Sequence, residues 1–316
     1  MTALQAYNQF KKQNDLPIFL EDWYLDIACS DGQWSCTYYE EDGVVLALYF
    51  YFLKQKWGLK YMTMPTMVKY MGPVFAAHVS EHEKGAITQS MESKLPTSSA
   101  FVQQWMPNTF QLLLDPKINI SYISRDTFIW NCLDNEDLLA EMDGNYRRAI
   151  KKYNTTLLGE SPKSLEDKKD QFITLLESGM GSLKTHGIAK EQLIKLIDAL
   201  EVKQKGKLIC LYSEQVLLAA SLVCWDDNKA YYLFAAGNKA YNKWYPGVQM
   251  AWSTMQYLKE HTEVKQLDFL GSSIPSIAKV WSKLGADKKH YPLVSQKSSI
   301  AFFVLNKLKQ IFKKNG

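Results

Sequence analysis

The chain has 316 residues, of which 47% are hydrophobic and 13% are aromatic. This content can fill two cores of ordinary size and excludes a disordered chain. Lysine plus arginine exceed aspartate plus glutamate by only 37 to 33, and the resulting net charge of +4 is too small to indicate nucleic-acid binding without a basic stripe. A phosphorylated or carboxylated ligand remains compatible with that charge.

The first half is predicted to form helices at residues 3–13 and 19–29, a hairpin of strands 33–40 and 44–55, a helix at 81–93 and a strand at 121–133. Asp42-Gly43 lies between two apolar runs and is a strong hairpin signal. The longest apolar run, residues 44–53, is shorter than the roughly 20 residues that span a bilayer. We therefore expect a protein that is neither integral to the membrane nor exported by a signal peptide.

The second half is predicted to open with a helix at residues 135–152 that acts as a hinge. The elements predicted after it are a strand at 155–159, helices at 164–176 and 190–200, strands at 207–213, 216–225 and 230–237, a helix at 246–261, a strand at 265–270 and a helix at 275–284. This order predicts an α/β fold, and its similarity to the first half suggests a tandem duplication.

The cysteines are odd in number, far apart and without a C-x-x-C pair, which predicts reduced thiols in a cytoplasmic protein. They are Cys29, Cys36, Cys132, Cys210 and Cys224. The sequence His78-Val-Ser-Glu81-His82 matches an inverted zinc-protease pattern. No later acidic helix accompanies it, so we predict no metal site and attribute the spacing to chance.

The most informative stretch runs from Gln266 to Gly285 and indicates a buried strand, a tight turn and a helix that ends at a glycine. Its Asp268-Phe-Leu-Gly271-Ser-Ser and the following Pro275 resemble a segment of Fem-type peptidyltransferases and their relatives in the GNAT superfamily. That superfamily transfers acyl or aminoacyl groups to amines. Four other segments resemble the family in the same order, at residues 65–75, 125–133, 141–152 and 241–261.

The resemblance covers residues 60–295 and implies two tandem GNAT-like domains, each a mixed, mostly antiparallel sheet flanked by helices. We predict an N-terminal domain at residues 1–134 and a donor-binding domain at 135–316. The implied activity is acyl or aminoacyl transfer from a thioester or an aminoacyl-tRNA to an amine in the interdomain cleft, by direct attack in a ternary complex. The implied co-substrate is acyl-CoA or aminoacyl-tRNA, with no tightly bound cofactor.

The helix that begins at Pro246 is the predicted donor site, because proline at the first helical position leaves N–H groups open to an anion. The predicted donor-binding residues are Lys243, Tyr245, Gly247, Val248 and Gln249. An ordinary helix start after a loop is the alternative.

Four cations within two turns, Arg147, Arg148, Lys151 and Lys152, predict a site for an anionic acceptor or, alternatively, a solvated helix end. The resemblance implies acceptor contacts from Tyr70, Arg147, Arg148, Lys152, Ser273 and Lys279. For Tyr70 the alternative is a side chain packed beneath the Gly72-Pro73 turn.

Asp268 and Ser272 are the predicted catalytic residues, since burial of Asp268 at a strand end would favour a proton acceptor. The alternatives are a structural Asp268 bonded to the following turn, and serines that cap the next helix. Leu270 and Trp281 stand where relatives carry polar groups, and they favour a second hypothesis, a degenerate GNAT fold that binds a ligand or partner without catalysis.

Residues 299–314 interleave apolar and lysine residues and predict a basic amphipathic helix. It would dock onto its own domain or adhere to an anionic membrane surface, and adhesion would suit a lipid-linked amine acceptor. The expected partners are a small-molecule or lipid-linked amine, with tRNA as an alternative donor carrier and no DNA. The expected location is the cytoplasm or the inner membrane surface.

Overall fold

The computed structural model describes residues 1–114, 120–131, 133–157, 164–213, 215–271, 274–296 and 299. The chain divides into two compact units: unit 1 comprises Met1–Arg125 and His290–Gly316, and unit 2 comprises Asp126–Lys289. The sequence placed the domain boundary later, between residues 134 and 135, and did not anticipate that the end of the chain returns to unit 1. That boundary stays a prediction.

Unit 1 combines helices with a mostly antiparallel sheet. Its helices are α1 (Ala3–Gln13), α2 (Asp22–Ala28) and α3 (Glu81–Glu92), and its strands are β1 (Gln33–Glu41), β2 (Val44–Lys56), β3 (Leu59–Met62), β4 (Pro73–Phe75) and β5 (Phe101–Gln104), with 3-10 segments at Ile18–Leu20 and Pro107–Leu114. Strand β2 pairs antiparallel with β1, β3 and β4, whereas β3 and β5 are parallel. The last residues of β11 (Asp287–Gln296) pair with β5.

Two tight turns shape the hairpins of unit 1. Asp42 and Gly43 have φ of 50° and 78°, as a type I′ turn requires, and the predicted hairpin is confirmed. Trp57 and Gly58 repeat this geometry, with φ of 51° and 78°, between β2 and β3. The sequence did not predict the second turn, because tryptophan is not a turn residue.

Unit 2 combines helices with strands of mixed orientation. Its elements are β6 (Ser121–Trp130), of which the residues from Asp126 belong to this unit, α4 (Gly144–Leu157), α5 (Leu165–Met180), α6 (Lys190–Val202), β7 (Gly206–Ser213), β8 (Val216–Trp225), β9 (Ala230–Gly237), α7 (Pro246–His261), β10 (Leu267–Asp268) and α8 (Pro275–Lys283), with 3-10 segments at Leu183–His186 and Lys239–Trp244. The strand order is β6-β10-β9-β8-β7. All neighbours are antiparallel except β10 and β9.

Helices cover both faces of this sheet. Six consecutive residues of β8, from Ala219 to Cys224, have no exposed surface, so the side chains on both faces of the strand are covered. The Ser221 hydroxyl lies 2.9 Å from that of Thr254 on α7, which assigns α7 to one face. Helix α5 contacts β7, β8 and β9, and α6 contacts β7, so these two helices cover the other face.

Two predictions near the start of unit 2 are wrong. The helix predicted from residue 135 begins at Gly144, because the apolar spacing at Leu138 and Met142 is satisfied by successive tight turns. The Asp143 carboxylate then accepts the N–H of Asn145 at 2.9 Å and opens the helix. Residues 155–157, predicted as part of a strand, are the last residues of α4.

Within the described part of the chain, no helix is both long enough and apolar enough to cross a membrane.

Candidate functional site

The sheet of unit 2 opens between β9 and β10. Their parallel pairing is limited to Leu267 with Ala230 and Asp268 with Tyr231, after which β10 ends. Strand β9 continues to Gly237, and its edge beyond Tyr231 pairs with no strand among the described residues. Unpaired N–H and C=O groups along such an edge can bind an extended ligand that carries amides.

A β-bulge lies where this opening begins. Leu222 of β8 pairs with Phe234 and Val223 pairs with Tyr232, so Leu233 is the extra residue of β9. Bulges increase strand twist and redirect side chains, and they are common next to functional sites. From Leu233 onward no residue of β9 is fully buried. The bulge therefore turns the last part of β9 away from the packed core.

The unpaired edge ends at the first turn of α7. Tyr245 precedes this helix in a left-handed conformation, with φ 53° and ψ 51°, and Pro246 occupies its first position. No side chain caps the helix and its first turn has no acidic residue. Among the described residues, the N–H of Gly247 donates to no acceptor. The helix thus presents an open, positively polarised N-terminus.

Gly237 brings the end of β9 close to that helix start. A Cβ atom at Gly237 would lie 3.3 Å from Pro246 Cγ and 3.6 Å from the Gly247 nitrogen. Glycine therefore allows the unpaired edge and the open helix end to adjoin. The sequence analysis did not select Gly237, although a glycine at the end of a strand is a signal of close backbone approach.

The five predicted donor-binding residues divide into two groups. Lys243, Tyr245 and Gly247 are exposed, and Lys243 Nζ lies 6.0 Å from the centre of the Trp244 ring. Val248 and Gln249 are buried. The Gln249 amide donates to the Ala149 carbonyl at 3.0 Å and fastens α7 to α4. Lys243 and Tyr245 therefore offer side-chain surface to a ligand, and Gly247 offers its backbone N–H.

The basic cluster of α4 lies on the exposed face of that helix. Arg147, Arg148, Lys151 and Lys152 are all exposed, while Ala149 and Ile150 between them are buried. Arg148 Nη2 donates to Asn145 Oδ1 at 2.6 Å. The Tyr146 ring, one residue before the cluster, lies 6.4 Å from the ring of Tyr245. The start of α4 is therefore near the open end of α7.

Asp268 is completely buried at the end of β10 and is bonded on two sides. Its Oδ1 accepts the hydroxyl of Thr127 on β6 and the N–H of Leu270, the latter at 2.8 Å. These contacts correspond to the structural alternative, in which the carboxylate holds the turn. A catalytic role for Asp268 stays a prediction.

The turn after Asp268 is strained. Leu270 and Gly271 both have positive φ, of 58° and 77°. The left-handed conformation is costly for leucine, and residues held in it occur most often at functional sites. A Cβ atom at Gly271 would lie 2.3 Å from the Asp126 carbonyl, so only glycine fits there. Ser272 and Ser273, predicted for catalysis and acceptor binding, lie outside the described residues.

Three aromatic rings lie at the apex of the opening. Tyr232 directly follows Tyr231 on β9, and Phe269 directly follows Asp268 of β10, so both rings come just after the last pair of the two strands. The centres of these two rings are 5.5 Å apart. Trp281 of α8 stacks on Phe269 at 4.2 Å and meets Tyr232 edge-on at 5.6 Å. The Trp281 indole nitrogen is buried and has no hydrogen-bond partner among the described residues. Lys279, a predicted acceptor contact on the same helix, is exposed.

In unit 1 the predicted residues offer little to a ligand. Tyr70 is 3% exposed and packs between Phe19, at 6.3 Å, and Tyr291, at 5.6 Å, as in the packed alternative. His78, Glu81 and His82 are exposed, and no group of histidine, cysteine or acidic side chains in the described part of the chain could hold a metal.

Comparison with known proteins agrees with this architecture. The profile of the acetyltransferase (GNAT) domain family matches residues 142–275, which include the opening, α4 and α7. Residues 142–275 are therefore similar to a GNAT domain. No curated protein sequence matches the chain significantly.

Solved structures extend the GNAT fold to nearly the whole chain. The structure of FemX has a TM-score of 0.64 at 14% identity and covers 92% of this chain and 96% of its own. A tandem GNAT protein from the clavulanic acid biosynthesis pathway has a TM-score of 0.52 at 10% identity. The match covers 90% of this chain and 98% of that protein's chain. The C-terminal domain of a putative lysylphosphatidylglycerol synthetase from Agrobacterium fabrum has a TM-score of 0.55 at 10% identity. The match covers 98% of this chain and 97% of that domain's chain. The predicted fold class, a Fem-like tandem GNAT fold, is confirmed.

Proposed function

We propose that unit 2 binds a thioester donor of the acyl-CoA class and transfers its acyl group to an amine. The single observation that carries this proposal is the unpaired edge of β9, which leads through Gly237 to the open N-terminus of α7. A pantetheine arm has two amides that can pair with a strand edge, and its pyrophosphate suits a helix N-terminus. Lys243 supplies an exposed cation beside that terminus.

The reaction is direct attack in a ternary complex. The amine nitrogen forms a bond to the thioester carbon, the carbon–sulfur bond breaks, and the departing thiolate receives the proton that the amine loses. Fixed backbone donors near the carbonyl would stabilise the developing oxyanion. In this mechanism the protein acts mainly by positioning the reactants. The β9 edge holds the donor in an extended conformation, and the turn at Asp268 fixes the end of β10 beside that edge.

The acceptor proposed for this site is an amine that also carries an anionic group. Arg147, Arg148 and Lys152 are exposed on α4, and Tyr146 places the start of this helix near Tyr245. A guanidinium can bind a phosphate or carboxylate bidentately. Both a small-molecule amine and a lipid-linked amine fit this description.

A binding protein without catalysis is the second candidate. It is favoured by the engagement of Asp268 with Thr127 and Leu270 and by the Phe269–Trp281 stack at the apex of the opening. In these contacts the carboxylate holds the turn and the aromatic rings pack on one another, as a binding role without catalysis requires. Ligand binding without turnover would support this candidate.

Donor binding is tested by calorimetric titration with acyl-CoA thioesters and, in parallel, aminoacyl-tRNA. Gly247→Trp is the informative variant, because a Cβ atom at Gly247 meets nothing within 4 Å and the fold should survive. Gly179→Trp is the matched control, on a helix with equally open space. We expect the thioester to bind wild type and control alike and Gly247→Trp at least roughly tenfold more weakly, as loss of a charged hydrogen bond implies.

Turnover is measured separately as release of free thiol in the presence of amines. Binding with thiol release supports acyl transfer, and binding without release for any amine supports the binding protein. Equal thioester affinity in Gly247→Trp and wild type, or binding of aminoacyl-tRNA alone, would overturn the donor assignment.

A further inference from the structure

The turn between β2 and β3 holds a tryptophan where the backbone disfavours it. A two-residue type I′ turn needs positive φ at both positions, which Asn, Asp and Gly accept most readily. The first hairpin of unit 1 meets this demand with Asp42-Gly43, whereas the second has Trp57-Gly58 in the same conformation. A bulky residue at φ 51° is an outlier, and such strain persists where the side chain serves another purpose.

The Trp57 side chain points toward solvent among cations. It is 48% exposed, and Lys56 Nζ lies 4.1 Å from the centre of its ring. Lys60 is exposed on the adjoining strand and forms no ion pair within the described part of the chain. An indole beside lysines suits the boundary between lipid head groups and acyl chains, where its apolar ring and polar N–H are both satisfied.

Hydrogen bonds connect this hairpin to Ser299, the residue that precedes the basic amphipathic sequence of the C-terminus. Ser99 N donates to the Lys60 carbonyl at 2.7 Å, and Ser299 N donates to the Ser99 carbonyl at 2.7 Å. Residues 300–314 follow Ser299 directly and contain Lys307, Lys309, Lys313 and Lys314 among apolar residues. The hairpin is thus linked through Ser99 to the residue that precedes this lysine-rich sequence.

We propose that the Trp57 hairpin docks unit 1 onto a lipid surface that carries anionic head groups. The turn presents a half-exposed indole with Lys56 over its ring, and Lys60 is exposed two residues beyond Gly58, which suits insertion into an interface. Lys56 and Lys60 attract the head groups while Trp57 enters the interfacial layer. The inference is independent of the reaction proposed for unit 2.

The test is co-sedimentation of the full chain with phosphatidylcholine vesicles, with and without phosphatidylglycerol. Wild type should bind the anionic vesicles, and binding should weaken at high salt. Trp57→Asn should bind several-fold more weakly while melting at a higher temperature, because asparagine relieves the strained turn. The double variant Lys56→Gln/Lys60→Gln should bind about 25-fold more weakly, at roughly fivefold for each cation near the surface.

Leu4→Asn is the matched control, since Leu4 is 63% exposed in the same unit and far along the chain from the hairpin. It should bind like wild type. Absence of wild-type binding, equal binding to neutral vesicles, or wild-type binding by Trp57→Asn would overturn the proposal. Loss of binding on replacing Lys307 and Lys309 by Gln, with no loss in either hairpin variant, would also overturn it and assign the contact to the C-terminal sequence alone.

Discussion

The N-termini of α3 and α7 show how differently the two units use the same element. Each helix lies in the connection between two parallel strands, β3 and β5 in unit 1 and β9 and β10 in unit 2. At α3, Ser80 and Glu83 form a capping box, and Glu81 adds a second carboxylate in the first turn. The hydrogen bonds from Ser80 hold the pKa of Glu83 below its usual value. At α7 no side chain caps the helix and the first turn has no acidic residue.

An anion at α3 would meet carboxylates and N–H groups that are already bonded. At α7 it would meet the open N–H of Gly247 and the exposed cation of Lys243. The difference teaches that a shared fold does not imply a shared site, because a few residues at a helix start decide which unit can bind a phosphate. It favours one donor site per chain, in unit 2.

The largest expected effect tests whether the opening in unit 2 depends on the Asp268 turn. Asp268→Ala should lower the free energy of unfolding by about 3–6 kcal/mol, since two buried hydrogen bonds to a charged group are each worth about 1.5–3 kcal/mol. Asp268→Asn can still accept the Leu270 N–H and should cost less. Urea unfolding measures both.

Turnover of Asp268→Asn separates the structural role from the catalytic one. If Asp268 were the proton acceptor, turnover should fall by roughly 10²–10⁴ with the melting temperature unchanged. A structural Asp268 loses stability and turnover together. Thr127→Ser, which keeps the hydroxyl, should retain both.

A smaller effect is expected when α7 is given the charge of α3. Gly247→Glu places a carboxylate in the first turn of α7 and should weaken acyl-CoA binding by roughly 10- to 100-fold, because the carboxylate repels the anionic donor and competes for the backbone N–H at position 247. Gly247→Gln has the same size without the charge and should bind more tightly than Gly247→Glu at low salt. Equal affinity of the two variants would show that charge at this helix start does not select the donor.

The last expected effect concerns the opposite ends of the same helices. Helix α7 ends with Lys259 and His261, whereas α3 ends with Glu92, whose pKa burial raises from 4.5 to about 7. The folded state then binds more protons than the unfolded state between these two pH values. Stability should therefore fall as pH rises from about 4.5 to about 7, by less than about 1.4 kcal/mol per pH unit, and level off above.

Glu92→Gln should remove this decline, and subtracting its unfolding curve from that of wild type isolates the contribution of one carboxyl. Glu81→Gln, at an exposed position of the same helix, is the control and should retain the decline. A wild-type decline that survives in Glu92→Gln would assign the titration to another group.

Local signals in the sequence predicted much of the fold. Asp42-Gly43 marked one hairpin, and Pro246 marked the start of α7, because turn and helix-start residues act within a few positions. The Trp57-Gly58 turn was missed since its conformation contradicts local preference. The sequence analysis placed the start of α4 too early, because turns at residues 135–143 bury the same apolar residues that a helix would bury.

The site was less predictable, because it depends on contacts distant in sequence. The exposed residues at α7 followed from its proline, but the opening beside β9 exists only because β10 stops at Asp268, which no local pattern reveals. The bond from Thr127 to Asp268 joins residues 141 positions apart. Burial of Gln249 and its contact with Ala149 likewise depend on how α4 packs on α7.

The free edge of β9 also exposes the protein to a hazard. Any extended peptide, including another copy of the chain, could add to an unpaired strand edge and begin aggregation. The free stretch is short, since it runs only from Tyr232 to Gly237, and the bulge at Leu233 twists it away from a flat template. The length of strand left open for a ligand is thus a compromise between recognition and solubility.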